Sequence, residues 1–209
     1  MHEEKESVRI AAICGSPRQG SYTRLALEIA LQGAAELGAE TQLIDLATYE
    51  LAFCEGTGDK HAYPEDVHRL RGEVQRAQGI VLGTPVYHGS FSGVLKNALD
   101  LMGFREFEGK MIGLVGVSGG RTGAINALDS LRSIGRALHA WVIPEQVSIA
   151  EGWRLFDANG KMKDAEMEQR LAEVGRQVAR FAYLHSSDQA MAFLKAWERA
   201  PANPGGGDW

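Results

Sequence analysis

Short apolar runs alternate with longer stretches of helical period along this chain, and that alternation predicts its elements. Val8 to Cys14 is almost continuously apolar, the pattern of a strand buried on both faces. Leu25, Ala26, Ile29, Ala30, Gly33 and Leu37 then recur at helical spacing, with Gly38 as the stop. Thr41 to Leu46 alternates polar and apolar, as an edge strand does. The polar stretch Ala47 to Asp66, with Gly56, Gly58 and Pro64, reads as a long loop, and Val67 to Gln78 as a helix.

The second half repeats the scheme. Ile80 to Thr84 is a buried strand that Pro85 closes. Val94, Leu95, Ala98, Leu99 and Met102 mark a helix face with Ser92 as N-cap. Met111 to Val117 is another buried strand, followed by a helix lined by Ile125, Leu128, Leu131, Ile134 and Leu138. Trp141 to Ile149 is the fifth strand, interrupted by Pro144. Gly152 to Lys163 is a small hairpin or excursion turning at Asn159-Gly160, and Asp164 caps a closing helix to Tyr183. Five strands joined by helical crossovers make an α/β protein, with a parallel sheet covered on both faces. Residues 1–185 form one domain. Residues 186–209 are a C-terminal extension: a short helix at Gln189 to Arg199, striped by Ala190, Met191, Phe193, Leu194 and Trp197, then a Gly/Pro-rich disordered tail.

Composition narrows the function classes. The 209 residues are 44% hydrophobic and 23% charged, ordinary for one globular domain with a sizeable core. A net charge of −5 with no basic block argues against nucleic acid as a partner. Met1 to Ser7 is polar, unlike a secretory signal, and the longest apolar runs fall far short of the ~20 residues of a membrane helix. The two cysteines, Cys14 and Cys54, make no disulfide framework, so the cytoplasm is expected. Cys14 reads as a small buried hydrophobe rather than a redox thiol. Cys54, His61 and His68 fit no metal-site spacing, and no metal is expected.

Chemistry concentrates in three loops, each at the carboxyl end of a strand, where open parallel sheets bind ligands. The first is Gly15-Ser16-Pro17-Arg18-Gln19-Gly20-Ser21-Tyr22-Thr23. Its hydroxyls, its arginine and the helix start behind it form a cradle for a terminal phosphate, but it is neither a P-loop nor a Gly-x-Gly-x-x-Gly turn. The second runs from Gly83 through Pro85, Val86, Tyr87, His88, Gly89 and Ser90 to Gly93. Aromatic and small residues there make a shelf for a flat ring, and backbone N–H groups face its heteroatoms. The third, Gly116 to Gly123 with Ser118, Gly119 and Gly120, lets backbone approach a ligand closely. Each loop alone is a turn common to α/β folds. Three after strands one, three and four converge on one crevice.

Gly15-Ser16-Pro17-Arg18 with Ser21-x-Thr23, and Thr84-Pro85-Val86-Tyr87-His88-Gly89-Ser90-Phe91-Ser92-Gly93-Val94-Leu95-Lys96-Asn97-Ala98-Leu99-Asp100, resemble the NADPH-dependent FMN reductase family. The similarity covers about Val8 to Ile149, with Ser118-Gly119-Gly120 in the family's third loop. The resemblance implies a flavodoxin-like fold of strand order 2-1-3-4-5, FMN and NAD(P)H as cofactors, and hydride transfer between them. It implies that Ser16, Arg18, Ser21, Tyr22 and Thr23 hold the phosphate. Pro85, Val86, Tyr87, His88, Gly89 and Ser90 would hold the ring, and Ser118, Gly119 and Gly120 its other edge. No residue is assigned as acid or base, because the cofactor carries the chemistry; Tyr87 and His88 are candidates for tuning the ring or admitting substrate. The resemblance and the apolar helix faces also imply a homodimer or homotetramer.

This chain has Pro-Val-Tyr-His where azo- and quinone-reducing members often have Pro-Glu-Tyr-Asn, and Thr23 where many members have Asn. The first change tilts the reading toward reduction of free flavin that is passed to a partner monooxygenase. The alternatives are an FMN-bound reductase of quinones, azo dyes or metals, a flavodoxin-type electron carrier, and a non-flavin binding module. Arg18 and Leu95-Lys96-Asn97 favour an enzyme over a carrier. Arg18, Arg24 and Arg121 are the candidates for a nicotinamide 2′-phosphate.

Overall fold

Strand β1 (Arg9–Cys14) is flanked on both sides by parallel neighbours, which is why its residues from Ile10 onward are buried. The computed structural model describes residues 7–56 and 63–199. On one side β1 pairs with β2 (Glu40–Asp45), and on the other with β3 (Gly79–Tyr87). Beyond β3 lie β5 (Met111–Val117) and β6 (Trp141–Ile149), all parallel. The order β2-β1-β3-β5-β6 is the expected 2-1-3-4-5 arrangement of a flavodoxin-like sheet. A sixth strand, the two-residue β4 (Ser90–Phe91), pairs antiparallel with the end of β3.

Side chains alternate between the two faces, and each face has its own core. Ile10, Ala12 and Cys14 pack toward α1 (Tyr22–Ala35) and α7 (Ala165–Ser186). Ala11 and Ile13 face the opposite layer of α2 (Glu65–Arg76), α3 (Gly93–Asp100) and α5 (Ile125–Ala137). Two short helices, α4 (Phe104–Phe107) and α6 (Gly152–Leu155), complete connections. Between α1 and α7 the backbones themselves meet. A Cβ on Gly33 would lie 2.1 Å from the carbonyl oxygen of Ala172, and one on Gly175 would lie 1.7 Å from that of Ala30.

Two prolines behave differently from the sequence expectation. Pro85 does not close β3, which continues to Tyr87. The β1 ladder ends at the Cys14–Gly83 pair, so on that side a residue without an N–H leaves no ladder bond unmade. Pro144 does not interrupt β6 but is absorbed by a bulge: Ile112 pairs with Val142, yet Leu114 pairs with Gln146.

The segment after β6 is one helical turn, α6, followed by a hairpin closed by a single bridge between Phe156 and Met162. The Asp157 carboxylate accepts the N–H groups of Asn159 and Lys161, which holds its pKa below the usual carboxylate value. The helix of the C-terminal extension is α8 (Asp188–Glu198), capped by Ser187. No side chain of α8 is buried, and Phe193 and Trp197 are mostly exposed, so the stripe does not seal the core. The chain's first six residues, His61 and the tail from Ala200 lie outside the described residues, as do the expectations made for them. Among the described residues no helix is long and apolar enough to cross a membrane, no His/Cys/Asp/Glu group is arranged to hold a metal, and Cys14 and Cys54 are free thiols.

Candidate functional site

The first loop leaves β1 at Cys14 and enters α1 through Ser21, an N-cap with extended backbone whose hydroxyl accepts the Arg24 N–H. The N–H groups of Tyr22 and Thr23 begin the helix and have no intrahelical acceptor, so this end presents donors and a positive dipole. Ser16, Ser21 and Thr23 are buried. None of the hydrogen bonds among the described residues engages the hydroxyls of Ser16 or Thr23. Arg18 is exposed and forms no ion pair among the described residues. Arg24 is committed elsewhere, 3.3 Å from Glu28 and 3.1 Å from Asp45. Of the two arginines on this loop and the first turn of α1, Arg18 is the one available to an anion.

The second loop is a hairpin. Val86 pairs with Phe91 and Tyr87 with Ser90, leaving His88 and Gly89 as the two turn residues, with φ of 51° and 82°. Positive φ at both positions is the I′ geometry that matches strand twist. The root of the hairpin is tied to the first loop through one side chain. Ser92 Oγ donates to the Gly15 carbonyl at 2.6 Å and accepts the Leu95 N–H at 3.1 Å, while the Ser92 N–H donates to Thr84 Oγ1 at 2.9 Å. Gly15 must be glycine here, since a Cβ would lie 2.6 Å from that of Leu95 and 3.0 Å from the Gly83 oxygen. The Leu95 to Asp100 signature proves to be scaffolding. Leu95, Ala98 and Leu99 are buried, Lys96 pairs with Asp100, and Asn97 clamps the preceding loop through the Cys54 N–H and the Ala52 carbonyl.

The third loop is fastened to the residues after β6. Ser118 N–H donates to Ile149 O, Gly152 N–H to Ser118 O, and Glu151 N–H to Gly120 O, all at 2.8 to 3.0 Å. These bonds turn Glu151 into the left-handed region, with φ 47°, and bring Trp153 to the crevice.

Together the loops enclose a cleft of about 280 Å³ lined by Ser16, Arg18, Ser21, Tyr22, Thr23, Pro85, Val86, Tyr87, Val117, Ser118, Gly119 and Trp153. Past Val86 and Ser118 lies a second lobe of about 290 Å³, bounded by His88, Gly89 and the run Thr122 to Asn126. Of the residues proposed from sequence, Ser90 and Gly120 line neither lobe. Ser90 pairs with Tyr87 behind the hairpin, and Gly120 is held by Ser118 Oγ and Glu151. Val117, Thr122 and Gly123 line the lobes from within the third loop, whereas Ala124, Ile125, Asn126 and Trp153 were missed by sequence reasoning. Cys14, under the first loop, is buried with its thiol pKa pushed up to about 11 by desolvation, so it is a packing residue there. One lobe carries hydroxyls, a guanidinium and a helix N-terminus, and the other the hairpin turn and the polar and small residues Ser118, Thr122, Gly123 and Asn126. That arrangement suits a phosphate joined to a planar ring.

Residues 8–154 match the family model for NADPH-dependent FMN reductase. The chain belongs to that family. Among its relatives is the NADPH-dependent FMN reductase ArsH of Shigella flexneri, 34% identical over 182 residues, covering 85% of this chain and 69% of the relative. Another is the NADPH azoreductase of Bacillus sp. (strain OY1-2), 38% identical over 150 residues, covering 72% and 80% respectively. Among solved structures, the apo form of an NADH:FMN oxidoreductase (EMOB) superposes with a TM-score of 0.68 over 87% of this chain and 92% of its own; at 20% identity this likeness bears on the fold alone. The family match begins at Val8 and stops after α6 opens, so it takes in all three loops and Trp153.

Proposed function

We propose that this member of the FMN reductase family holds FMN in the two-lobed cleft and catalyses its reduction by NAD(P)H. The observation that carries the reading is the first lobe, lined by a helix N-terminus, two hydroxyls with no hydrogen bond among the described residues, and a guanidinium with no ion pair among them. Ser16, Arg18, Ser21, Tyr22 and Thr23 hold the phosphate. Pro85 to Gly89 support the ring on one side, and Ser118 and Gly119 approach its other edge, with Ser90 and Gly120 bracing those walls from behind. The chemistry FMN supplies when bound is acceptance of a hydride from the nicotinamide and passage of the electrons to an acceptor. The protein's part is orientation. The hairpin turn borders the second lobe, Tyr87 stands half-exposed along the first, and no side chain is assigned as acid or base.

A second reading, an FMN-retaining azo or quinone reductase, is favoured by the likeness to the Bacillus azoreductase. Steady-state NAD(P)H oxidation separates the two. Turnover that rises with added FMN supports the free-flavin reductase, whose reduced product would serve a partner monooxygenase in the cytoplasm. Flavin that co-purifies, with turnover that waits for a quinone or azo dye, supports the second. A flavin-loaded protein that oxidises no NAD(P)H is a carrier, and both readings then fail. The protein is also expected to be a homodimer or homotetramer, a reading carried by the family likeness and by the exposed Phe193 and Trp197 of α8. Light scattering at micromolar concentration checks it, and a monomer mass rejects it.

A further inference from the structure

The cleft has one wall that the phosphate and ring assignments do not use. Trp153 lines the first lobe together with Ser16 and Arg18, yet 52% of its surface is exposed. It belongs to neither core: its chain neighbours Leu155 and Phe156 pack inward, and the indole does not. What sets it apart from the other exposed tryptophans, Trp141 and Trp197, is that it lines the cleft.

Its placement is over-determined. Glu151 and Gly152 are both hydrogen-bonded to the backbone of the third loop. Glu151 takes a left-handed backbone to allow this. A Cβ on Gly152 would come within 2.7 Å of Val117 Cγ1, so the turn sits directly on the end of β5. The Arg154 guanidinium lies 4.8 Å from the indole centroid and is itself held by Glu151 at 3.3 Å. The ring thus carries the Arg154 guanidinium over it and also lines the cleft.

We propose that Trp153 is the residue that retains the flavin, by closing over the segment between ring and phosphate. This rests on the reading that the cleft holds FMN. The indole loses its remaining water contact when the ligand enters, and it shields the bonds from Arg18 and the α1 N-terminus from solvent, where such bonds are stronger. Trp153 touches no reacting atom, so it governs how long the flavin stays rather than how fast hydride moves. That makes it the position that decides between flavin as a released product and flavin as a resident group.

The test is FMN binding and release by the full-length protein, followed by flavin fluorescence in titrations and by stopped flow. Trp153→Ala is expected to raise both the Kd and the dissociation rate ~10- to 100-fold, the equivalent of exposing most of an indole's buried area. Trp153→Phe is expected to keep most of the affinity, and to lose part of the tryptophan quenching seen on FMN addition. Trp141→Ala, at the opposite end of β6, is expected to change neither constant. In turnover, Trp153→Ala raises KM for FMN without lowering kcat. A folded Trp153→Ala protein that binds and releases FMN as the parent does overturns the retention role alone. A parent protein that binds no FMN overturns the cleft reading and this inference with it.

Discussion

Gly175→Ala is expected to destabilise the protein by at least ~3 kcal/mol, at or beyond the upper end of ordinary overpacking. The new methyl carbon would lie 1.7 Å from Ala30 O, 2.7 Å from Ala30 C and 3.0 Å from Ala34 N. All three are backbone atoms of α1, so no side chain can swing away. Relief requires α7 to move off α1, and that opens the layer in which Leu27, Leu31, Leu171, Val174 and Val178 are packed. The gain in helix propensity from glycine to alanine, about 1 kcal/mol, is too small to offset this. For a chain of this size the melting temperature is expected to fall by roughly 6–12 °C. Gly72→Ala in α2 is the contrast, because its Cβ would meet only the far end of the Arg76 side chain at 3.4 Å. There the propensity gain acts alone and stability rises by roughly 0.5–1 kcal/mol. Thermal melts by circular dichroism read both, and a Gly175→Ala melt within ~2 °C of the parent, less than 1 kcal/mol, would refute the backbone contact.

Arg18→Ala is expected to weaken FMN binding by roughly 10- to 100-fold and to leave the fold alone. A charge-assisted hydrogen bond to a phosphate contributes about 1.5–3 kcal/mol, and each 1.4 kcal/mol is about tenfold in affinity. Arg18 has no ion-pair partner among the described residues, so its removal breaks no ion pair there. Arg18→Lys keeps the charge but not the fork, and recovers only part of the affinity. Arg24→Ala is the control, since that guanidinium already serves Glu28 and Asp45. Flavin fluorescence titration with a parallel melt measures both quantities. An unchanged Kd for Arg18→Ala with normal folding removes Arg18 from the phosphate site.

The parallel sheet was legible because burial on both faces leaves little freedom. Val8 to Cys14, Ile80 to Thr84 and Met111 to Val117 are apolar runs with few other uses. Their carboxyl ends then located the three loops with no knowledge of side-chain geometry. What escaped was set by partners distant in sequence. Pro85 looks like a stop when read alone, but its missing N–H is harmless because β1 has already ended. The hairpin signal was present in His88-Gly89, a two-residue turn flanked by Val86-Tyr87 and Ser90-Phe91, and was hidden by that proline. Trp153 followed the last strand in a stretch read as an excursion. Its presence in the cleft depends on hydrogen bonds to Ser118 and Gly120, more than thirty positions earlier. Asn97 belonged to a recognisable signature, yet its role as a clamp on Ala52 and Cys54 is visible only in three dimensions.

Ser92 joins the root of the hairpin to the first loop, whereas the tip at His88 and Gly89 projects beyond the sheet. The two ends of one short segment therefore differ in what a substitution would disturb. Changes at the root disturb the Gly15 crossing and the start of α3 at once. Changes at the tip alter what meets the open lobe and leave the knitted loops intact. The tip can therefore be varied to change the lining of the second lobe without touching the bonds that hold the loops together.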